Sequence, residues 1–192
     1  MSLTSPLQFL DARRSVPSKQ LGSPGPDDAT LFRMLASAVR VPDHGKLVPF
    51  RFIRIQGDAR HALGERLAAR TLHLDPDAAA AVVEKDRARF SHAPTIITVV
   101  ARLTAGHKVP EQEQLLTAGS VCFALLQAAQ ALGFGAQWLT GWMAYDEAVA
   151  ATLGLAPNER VAGFIHVGTP QMEAPERDRP DPRALLTDWT DA

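Results

Sequence analysis

Two arginines and a serine stand side by side near the start of the chain, at Arg13, Arg14 and Ser15, just after a short apolar segment. A guanidinium group can bind two oxygens of a phosphate monoester at once, and a neighbouring hydroxyl adds a further donor. Exposed arginine pairs at helix ends are also common on protein surfaces. The triplet alone is therefore compatible with an anion site or with a solvated surface.

Side chains that could catalyse a reaction unaided are scarce. No two of the six histidines are three or four residues apart, so the sequence predicts no metal site. The single cysteine, Cys122, lies in an apolar helical stretch and is expected to be an inert core thiol. His166 alternates with apolar residues and is expected to be a core histidine with satisfied hydrogen bonds. With no candidate catalytic residue, the protein either binds a ligand or relies on a cofactor for its reactivity.

Two further motifs allow more than one interpretation. Trp138, Trp142 and Tyr145 follow a predicted strand, and they could either form a wall against a planar ligand or pack in the core. The run Gly133-Phe134-Gly135 is similar to a dinucleotide-binding loop, but it follows a predicted helix rather than a strand. A tight turn from helix to strand is the favoured interpretation of that run.

Apolar periodicity and turn residues predict the elements that must position these side chains. Helices are predicted over 5–12, 27–40, 58–72, 76–90, 111–132 and 146–153. Strands are predicted over 50–56, 94–101, 135–140 and 161–167, and a loop over 22–26. The helix over 76–90 is expected to begin with Asp75 as its cap and Pro76 at its first position. The pattern predicts an α+β fold in a single domain over residues 1–192, with a peripheral helical excursion over about 58–90.

Composition narrows the class of protein. Hydrophobic residues make up 46% and charged residues 21% of the chain, which are ordinary values for a globular domain. A formal net charge of -1 argues against nucleic acid as the main partner. The uncharged stretch from Leu115 to Gly133 reaches the length of a membrane span, but polar residues interrupt it and no aromatic belt frames it. We therefore expect no membrane association, and the lack of a signal pattern predicts a cytoplasmic location.

The last part of the chain, from about 170 to 192, is rich in proline and charge. Its apolar anchors are Leu185, Leu186 and Trp189. A tail of this composition would be loose in an ordinary monomer. The three anchors favour a tail that docks, and a partner subunit is one place where it could do so.

Five short motifs occur in a fixed order along the chain. They are Arg13-Arg14-Ser15, Arg40-Val41-Pro42-Asp43-His44, His107-Lys108-Val109-Pro110, Gly133-Phe134-Gly135-Ala136-Gln137-Trp138 and Val161-Ala162-Gly163-Phe164-Ile165-His166-Val167-Gly168-Thr169-Pro170. In this order and spacing they resemble the nitroreductase family of FMN enzymes, specifically its YdjA-type NAD(P)H nitroreductase branch. The resemblance extends from about residue 6 to residue 182.

The resemblance implies an intertwined homodimer with a central, mostly antiparallel sheet flanked by helices and with FMN shared across the interface. By this resemblance Arg13, Arg14 and Ser15 hold the FMN phosphate and ribityl chain, while Arg40 and His44 reach the same FMN from the partner subunit. The segment along the flavin would be Trp138, Leu139 and Thr140. The stretch that the family associates with NAD(P) corresponds to Ala128, Ala129, Gln130, Ala131, Leu132 and Gly133.

The implied activity is a ping-pong oxidoreductase with FMN as cofactor and NADH or NADPH as co-substrate. Nitroaromatics or quinones would be its small-molecule acceptors. Neither a catalytic residue of the protein nor a metal is implied, because the protein would position and tune the cofactor.

The chain departs from the family pattern near the expected flavin. It has Lys46 and then Val48-Pro49-Phe50 where the family has an asparagine and then Gln-Pro-Trp, and Leu139 replaces the arginine of a Trp-Arg-Ser-Gly run. Loss of that cation would disfavour an anionic reduced flavin unless Lys46 or Arg14 compensates. Two alternatives therefore stay open: a flavin-binding or sequestering protein with little turnover, and another flavin reaction, such as reductive dehalogenation or flavin fragmentation, on the same scaffold.

Overall fold

A five-stranded sheet forms the centre of the computed structural model, which describes residues 5–191. Its strands are β1 (Leu21–Gly22), β2 (Phe50–Gln56), β3 (Thr95–Arg102), β4 (Gly135–Leu139) and β5 (Glu159–Pro170). β3 and β4 pair with overlapping stretches of β5 and so flank it on opposite sides. β1 pairs with the last residues of β5, and β2 lies beyond β3. All of these pairs are antiparallel, which agrees with the expected sheet.

Seven helices surround this sheet in the described part of the chain. They are α1 (Pro6–Asp11), α2 (Asp28–Ala38), α3 (Asp58–Leu74), α4 (Ala80–Arg87), α5 (Glu111–Ala131), α6 (Glu147–Thr152) and α7 (Pro182–Leu185). Side chains of Ser5, Asp27 and Asp146 accept hydrogen bonds from backbone N–H groups in the first turns of α1, α2 and α6. These caps explain why the three helices begin where they do.

The two faces of the sheet carry separate cores. α2 and α5 cover one face, where Met34, Val121 and Leu125 pack against Ile97 and Ile165. The other face is covered by α3, by the turn around Phe90 that follows α4, and by α6. β3 is consequently buried on both faces, and its β-branched run suits that environment.

The structure corrects the predicted start of α4. Asp75 ends α3 instead of capping α4, and its carboxylate accepts a hydrogen bond from the N–H of Asp77 at 3.2 Å. This local turn after Asp75 delays the next helix to Ala80, whose preceding residue, Ala79, offers no side-chain cap. The two-residue strand β1 was also missed, because Gly22 falls in a run of turn residues that predicts a loop.

The tail after β5 lies mostly on the surface of the protomer. Ala174 packs against Val16, Leu21 and Ala93. Farther along, the expected anchors are among the most exposed apolar side chains, with Leu185 at 71%, Leu186 at 75% and Trp189 at 86% of full exposure. The anchors therefore find no docking surface on their own protomer.

Among residues 5–191, no helix combines the length and the hydropathy needed to cross a membrane.

Candidate functional site

The arginine triplet lies directly after α1, which ends at Asp11. The guanidinium of Arg14 donates to the carbonyl oxygen of Asp11 at 2.5 Å and to that of Arg13 at 3.1 Å. Arg13 donates to the hydroxyl of Ser15 at 3.3 Å. These contacts fold the triplet into one group, in which both arginines are partly buried and Ser15 is exposed.

The C-terminal tail brings further charges to this group. Glu176 forms ion pairs with Arg14 and, at 2.9 Å, with Arg179. Arg179 also donates to the carbonyl oxygen of Arg13 at 3.4 Å. Sequence reasoning missed these tail residues, because more than 160 positions separate them from the triplet and no local motif marks them.

The electrostatics of this group favour an anion. Burial, followed by the positive charges of Arg179, Arg177 and Arg14, holds the pKa of Arg13 below its ordinary value, and only Glu176 acts in the opposite direction. Cations held together in this way are stabilised by a negative ligand. The donors and the unbalanced charge fit a phosphate monoester, since guanidinium groups bind phosphate oxygens in pairs.

A cavity of about 410 Å³ opens beside the triplet. Its walls come from the residues after α1, the end of α5, the start of β4 and the tail, and include Arg14, Gln130, Phe134, Ala136 and Met172. The lining carries one cation, Arg14, and one carboxylate, Glu173, and its other side chains are uncharged. A cavity of this size can take a small ligand or part of a larger one, with an anionic end at Arg14.

Arg40 lies at a different place in the protomer. It lines a second cavity of about 570 Å³ between the loop after α2 and the exposed face of α5, together with Leu116, Phe123 and Trp138. The two cavities have no lining residue in common. One protomer therefore brings Arg40 together with Trp138 but not with the cavity beside the arginine triplet.

His44 sits in the same loop and is held by α5. Its Nδ1 atom lies 2.7 Å from a carboxylate oxygen of Glu113, and both side chains are about half exposed. Next to it the backbone is left-handed at Gly45, Lys46 and Val48, with φ angles of 69°, 56° and 50°. A β-branched residue in that region is strained, and such strain is often found at functional loops.

The side chains of β4 divide between the two faces of the sheet. The Trp138 indole donates to the carbonyl oxygen of Ala162 at 3.2 Å, and it lies so close to Gly163 that any Cβ there would overlap it. Leu139 points to the opposite face, because neighbouring residues of a strand alternate. Thr140 is half-buried just after the strand.

The three aromatic residues near β4 do not form one wall. Trp142 donates to the buried carboxylate of Asp86 at 3.2 Å on the α4 side of the sheet, whereas Trp138 lies on the α5 side. Tyr145 is 77% exposed. The structure thus places Trp138, Trp142 and Tyr145 in three different environments, although they are close together in the sequence.

The end of α5 is largely structural. Ala128 and Ala129 are buried in the core, and Leu132 packs against it. The Gln130 amide donates to the carbonyl oxygen of Phe9 at 2.9 Å and so ties α5 to α1. Ala131 and Gly133 are exposed, and Gly133 has a φ of 82°, as the predicted turn requires. A ligand could contact this stretch through Gln130, Ala131, Leu132 and Gly133, which are exposed or partly exposed, but not through the buried Ala128 and Ala129.

Two buried groups take no part in this site. Cys122 is fully buried, and burial raises the pKa of its thiol to about 12, so the predicted inert thiol is confirmed. His166 is also fully buried, but neither ring nitrogen has a hydrogen-bond partner within residues 5–191. The expectation of satisfied hydrogen bonds was wrong: the ring stacks on Phe90, and its strand neighbour Gln137 uses its amide oxygen to accept from the N–H of Ser18 instead. Nowhere in the described chain do three His, Cys, Asp or Glu side chains meet as metal ligands would.

Comparison with known proteins identifies one family, both by a family model and by a sequence relative. The sequence model described as the Nitroreductase family matches residues 10–169. The Escherichia coli K12 protein YdjA, which is named as an NAD(P)H nitroreductase, is 34% identical over 182 residues, covering 94% of this chain and 97% of YdjA.

Solved structures share the fold. A nitroreductase-like family protein from Bacillus cereus superposes with a TM-score of 0.82 at 19% identity, covering 98% of both chains. A nitroreductase from Desulfovibrio desulfuricans, solved in complex with FMN, superposes with a TM-score of 0.74 at 24% identity, covering 98% of this chain and 99% of that one. At such identities the likeness concerns the fold.

Proposed function

Because the chain belongs to the nitroreductase family, we propose that it is an FMN-dependent oxidoreductase that uses NADH or NADPH to reduce nitroaromatic or quinone-like acceptors. FMN, when bound, would supply the chemistry, which is to accept a hydride from the dinucleotide and deliver reducing equivalents to the acceptor. The two substrates would use the site in turn, in a ping-pong sequence. We place the activity in the cytoplasm, where a single reduced cysteine is ordinary.

The observation that carries this proposal is the unbalanced positive charge around Arg13. Burial and three neighbouring arginines lower the pKa of this residue, so the group favours a bound anion. We assign the phosphate of FMN to Arg13, Arg14 and Ser15, and we add Arg179, which reaches Arg13 from the tail. The isoalloxazine would then lie at the end of β4 and meet the backbone of Trp138, Leu139 and Thr140, because the side chains of Trp138 and Leu139 point to opposite faces.

We further propose that the site is completed in a homodimer. Arg40 and His44 lie away from the cavity beside Arg13, so they would serve the FMN of a second chain. The exposed face of α5 carries Leu116 and Phe123, at 62% and 47% exposure. An apolar face of this kind suits burial between two subunits. Glu113 would then orient His44 toward the partner's cofactor.

We also propose that the end of α5 contacts NAD(P), through fewer residues than the resemblance implies. Of the stretch from Ala128 to Gly133, all but the buried Ala128 and Ala129 offer atoms at the surface or at the cavity. We propose that the dinucleotide contacts Gln130, Ala131, Leu132 and Gly133, and that the buried Ala128 and Ala129 only support them.

The test is spectroscopic. The protein is purified, reconstituted with FMN, freed of unbound flavin, and then mixed with NADH or NADPH without oxygen. We expect a bound-flavin absorbance band that bleaches with at least one dinucleotide and returns when a quinone or nitroaromatic is added. A bound flavin that neither dinucleotide reduces would support the flavin-binding alternative, and a protein that binds no flavin would contradict the proposal. Product analysis after reoxidation would detect another flavin reaction.

A further inference from the structure

We propose that Glu176 of the tail is an internal competitor for the anion site: its carboxylate binds arginine donors that the phosphate of FMN needs, and it leaves them when that phosphate binds. The inference rests on the proposed function, since it concerns the phosphate of the same FMN. It gives the tail a role in deciding which anions the site accepts.

The carboxylate of Glu176 lies between two guanidinium groups. Its Oε2 atom forms an ion pair with Nη2 of Arg14. Its Oε1 atom accepts hydrogen bonds from Nε and Nη2 of Arg179, at 3.1 Å and 2.9 Å, and from the N–H of Arg177 at 2.9 Å. Guanidinium groups bind carboxylate and phosphate oxygens with the same N–H groups. Both oxygens of Glu176 therefore use donors that a phosphate at this site would also use.

The charges at this group allow one anion at a time on those donors. Within residues 5–191, Glu176 is the only carboxylate that forms an ion pair with any arginine of the group, which consists of Arg13, Arg14, Arg177 and Arg179. The hydrogen bond from Arg177, the hydrogen bond from Arg179 and the charges of Arg14 and Arg179 hold the pKa of Glu176 below its ordinary value. Glu176 is thus ionised at neutral pH, and a phosphate that shared its donors would be repelled by it.

Arg13 is the donor that a phosphate would meet first. Its guanidinium donates to the hydroxyl of Ser15 at 3.3 Å, and it forms no ion pair with a carboxylate in the described chain. Arg13 and Ser15 directly flank Arg14 in the sequence. A phosphate bound by Arg13 and Ser15 is therefore placed to take over Arg14 from Glu176.

Glu176 can leave the arginines without disturbing the core. The tail is anchored two residues earlier, where Ala174 packs against Val16 and Leu21. The side chain of Glu176 is 50% exposed, so a rotation of this side chain carries its carboxylate into water. Ion pairs at such exposed positions contribute little to stability. The competition is accordingly modest, and a ligand with several contacts can overcome it.

This arrangement discriminates against weakly bound anions. A free phosphate ion has to displace Glu176 but gains only the contacts of the arginine group. FMN has to displace the same carboxylate and gains, in addition, the contacts of its flavin and ribityl chain. Glu176 therefore keeps free phosphate from filling the site at concentrations at which FMN still binds.

The first test compares the Kd values of FMN and riboflavin in the wild type, in Glu176→Gln and in a control, Asp178→Asn. Asp178 is exposed in the same tail, and among the described residues it forms no ion pair with the arginine group. We expect Glu176→Gln to bind FMN about threefold to tenfold tighter than the wild type, which is the range that two exposed ion pairs can supply. The Kd of riboflavin, which has no phosphate, should not change. Asp178→Asn should bind FMN within about twofold of the wild type, because its charge is screened by water and salt.

The second test uses inorganic phosphate and no flavin. A ligand that binds the folded state raises the temperature of thermal unfolding in proportion to how tightly it binds. We expect added phosphate to raise this temperature more for Glu176→Gln than for the wild type or Asp178→Asn, and the difference to shrink at high ionic strength.

The outcomes separate this inference from the proposed function. A wild type that binds no FMN contradicts the proposed function, and the measurement with inorganic phosphate then decides the role of Glu176 by itself. Weaker FMN binding in Glu176→Gln would show that Glu176 stays beside the bound phosphate and positions Arg14, which contradicts the inference. The same FMN affinity in Glu176→Gln and the wild type, or an equal gain in Glu176→Gln and Asp178→Asn, contradicts it as well.

Discussion

His166 shows how a single buried side chain can make stability depend on pH. Its ring stacks against Phe90 with 5.6 Å between centroids, and neither ring nitrogen has a hydrogen-bond partner within residues 5–191. Burial, and then the positive charges of His92 and Arg89, lower the pKa of His166 from 6.5 to about 4. The unfolded chain therefore takes up this proton at a higher pH than the folded chain does.

We predict that the free energy of unfolding falls as the pH is lowered from 6.5 to about 4, because only the unfolded state gains the proton in that window. Above 6.5 the contribution is fully present. His166→Leu should remove this part of the pH dependence. It should also stabilise the protein at neutral pH by about 1–2 kcal/mol, because it removes unsatisfied buried nitrogens.

Urea denaturation above, within and below this window measures the effect. His61→Leu, at an exposed position of α3, is the control and should keep the pH dependence of the wild type. If His166→Leu also keeps that dependence, then His166 is not its source.

At the scale of elements, the contact between α3 and α4 depends on one glycine. A Cβ built at Gly64 would overlap the carbonyl oxygen of Arg87, a backbone atom that cannot swing aside. The close approach of these two helices also positions Asp86 and Arg89, which lie on and just after α4. Gly64 therefore allows the two helices to pack in the arrangement observed.

We predict that Gly64→Ala destabilises the protein by about 1–3 kcal/mol, although alanine is the better helix former by about 1 kcal/mol. Thermal unfolding measures this change. The control is Ala62→Gly, at an exposed position of the same helix, which should cost only the difference in helix propensity. A Gly64→Ala protein more stable than the wild type would show that α3 and α4 are not so closely packed.

The elements that could be predicted from sequence are those with a strong local pattern. The β-branched run of β3 and the long apolar stretch of α5 predicted the first and last residues of these elements to within one position. The start of α4 was wrong because Asp75 and Pro76 can form either a helix start or a turn, and packing decides between them. The position of Phe90 against the sheet has no local signal, since it depends on how its ring meets Phe164.

At the scale of the whole molecule, the exposed face of α5 is the surface on which the proposed dimer depends. We predict that Leu116→Glu and Phe123→Glu each shift the protein toward monomer and weaken FMN binding at least tenfold, because a charge buried in an apolar interface is costly. Sedimentation velocity and flavin titration measure the two effects.

Leu74→Glu is the matched control for these substitutions, because Leu74 is 57% exposed but lies at the end of α3, away from α5. It should change neither mass nor affinity. Variants at Leu116 and Phe123 that keep the mass and FMN affinity of the wild type would contradict the use of this face.

Only part of the candidate site could be predicted from sequence, because some of its residues meet only through the fold of the whole chain. Arg13, Arg14 and Ser15 could be identified as a candidate anion site because they are adjacent in the chain. Arg179 reaches them only through tertiary structure, because the tail after β5 packs against Leu21 of β1 and then lies beside Arg13. The place of Arg40 in the protomer, where the loop after α2 meets the face of α5, is likewise set by packing that no local sequence pattern specifies.

The central claim is that Arg13 and Arg14 form the phosphate site of an FMN enzyme. Riboflavin lacks the phosphate, so the ratio of its Kd to that of FMN measures this site directly. We predict that the wild type binds FMN about a hundredfold or more tighter than riboflavin, because each charge-assisted hydrogen bond contributes about 1.5–3 kcal/mol. Arg13→Ala/Arg14→Ala should reduce this preference to about tenfold or less, whereas Arg33→Ala, at an exposed position of α2, should preserve it. An equal preference in the double variant and the wild type would contradict the account.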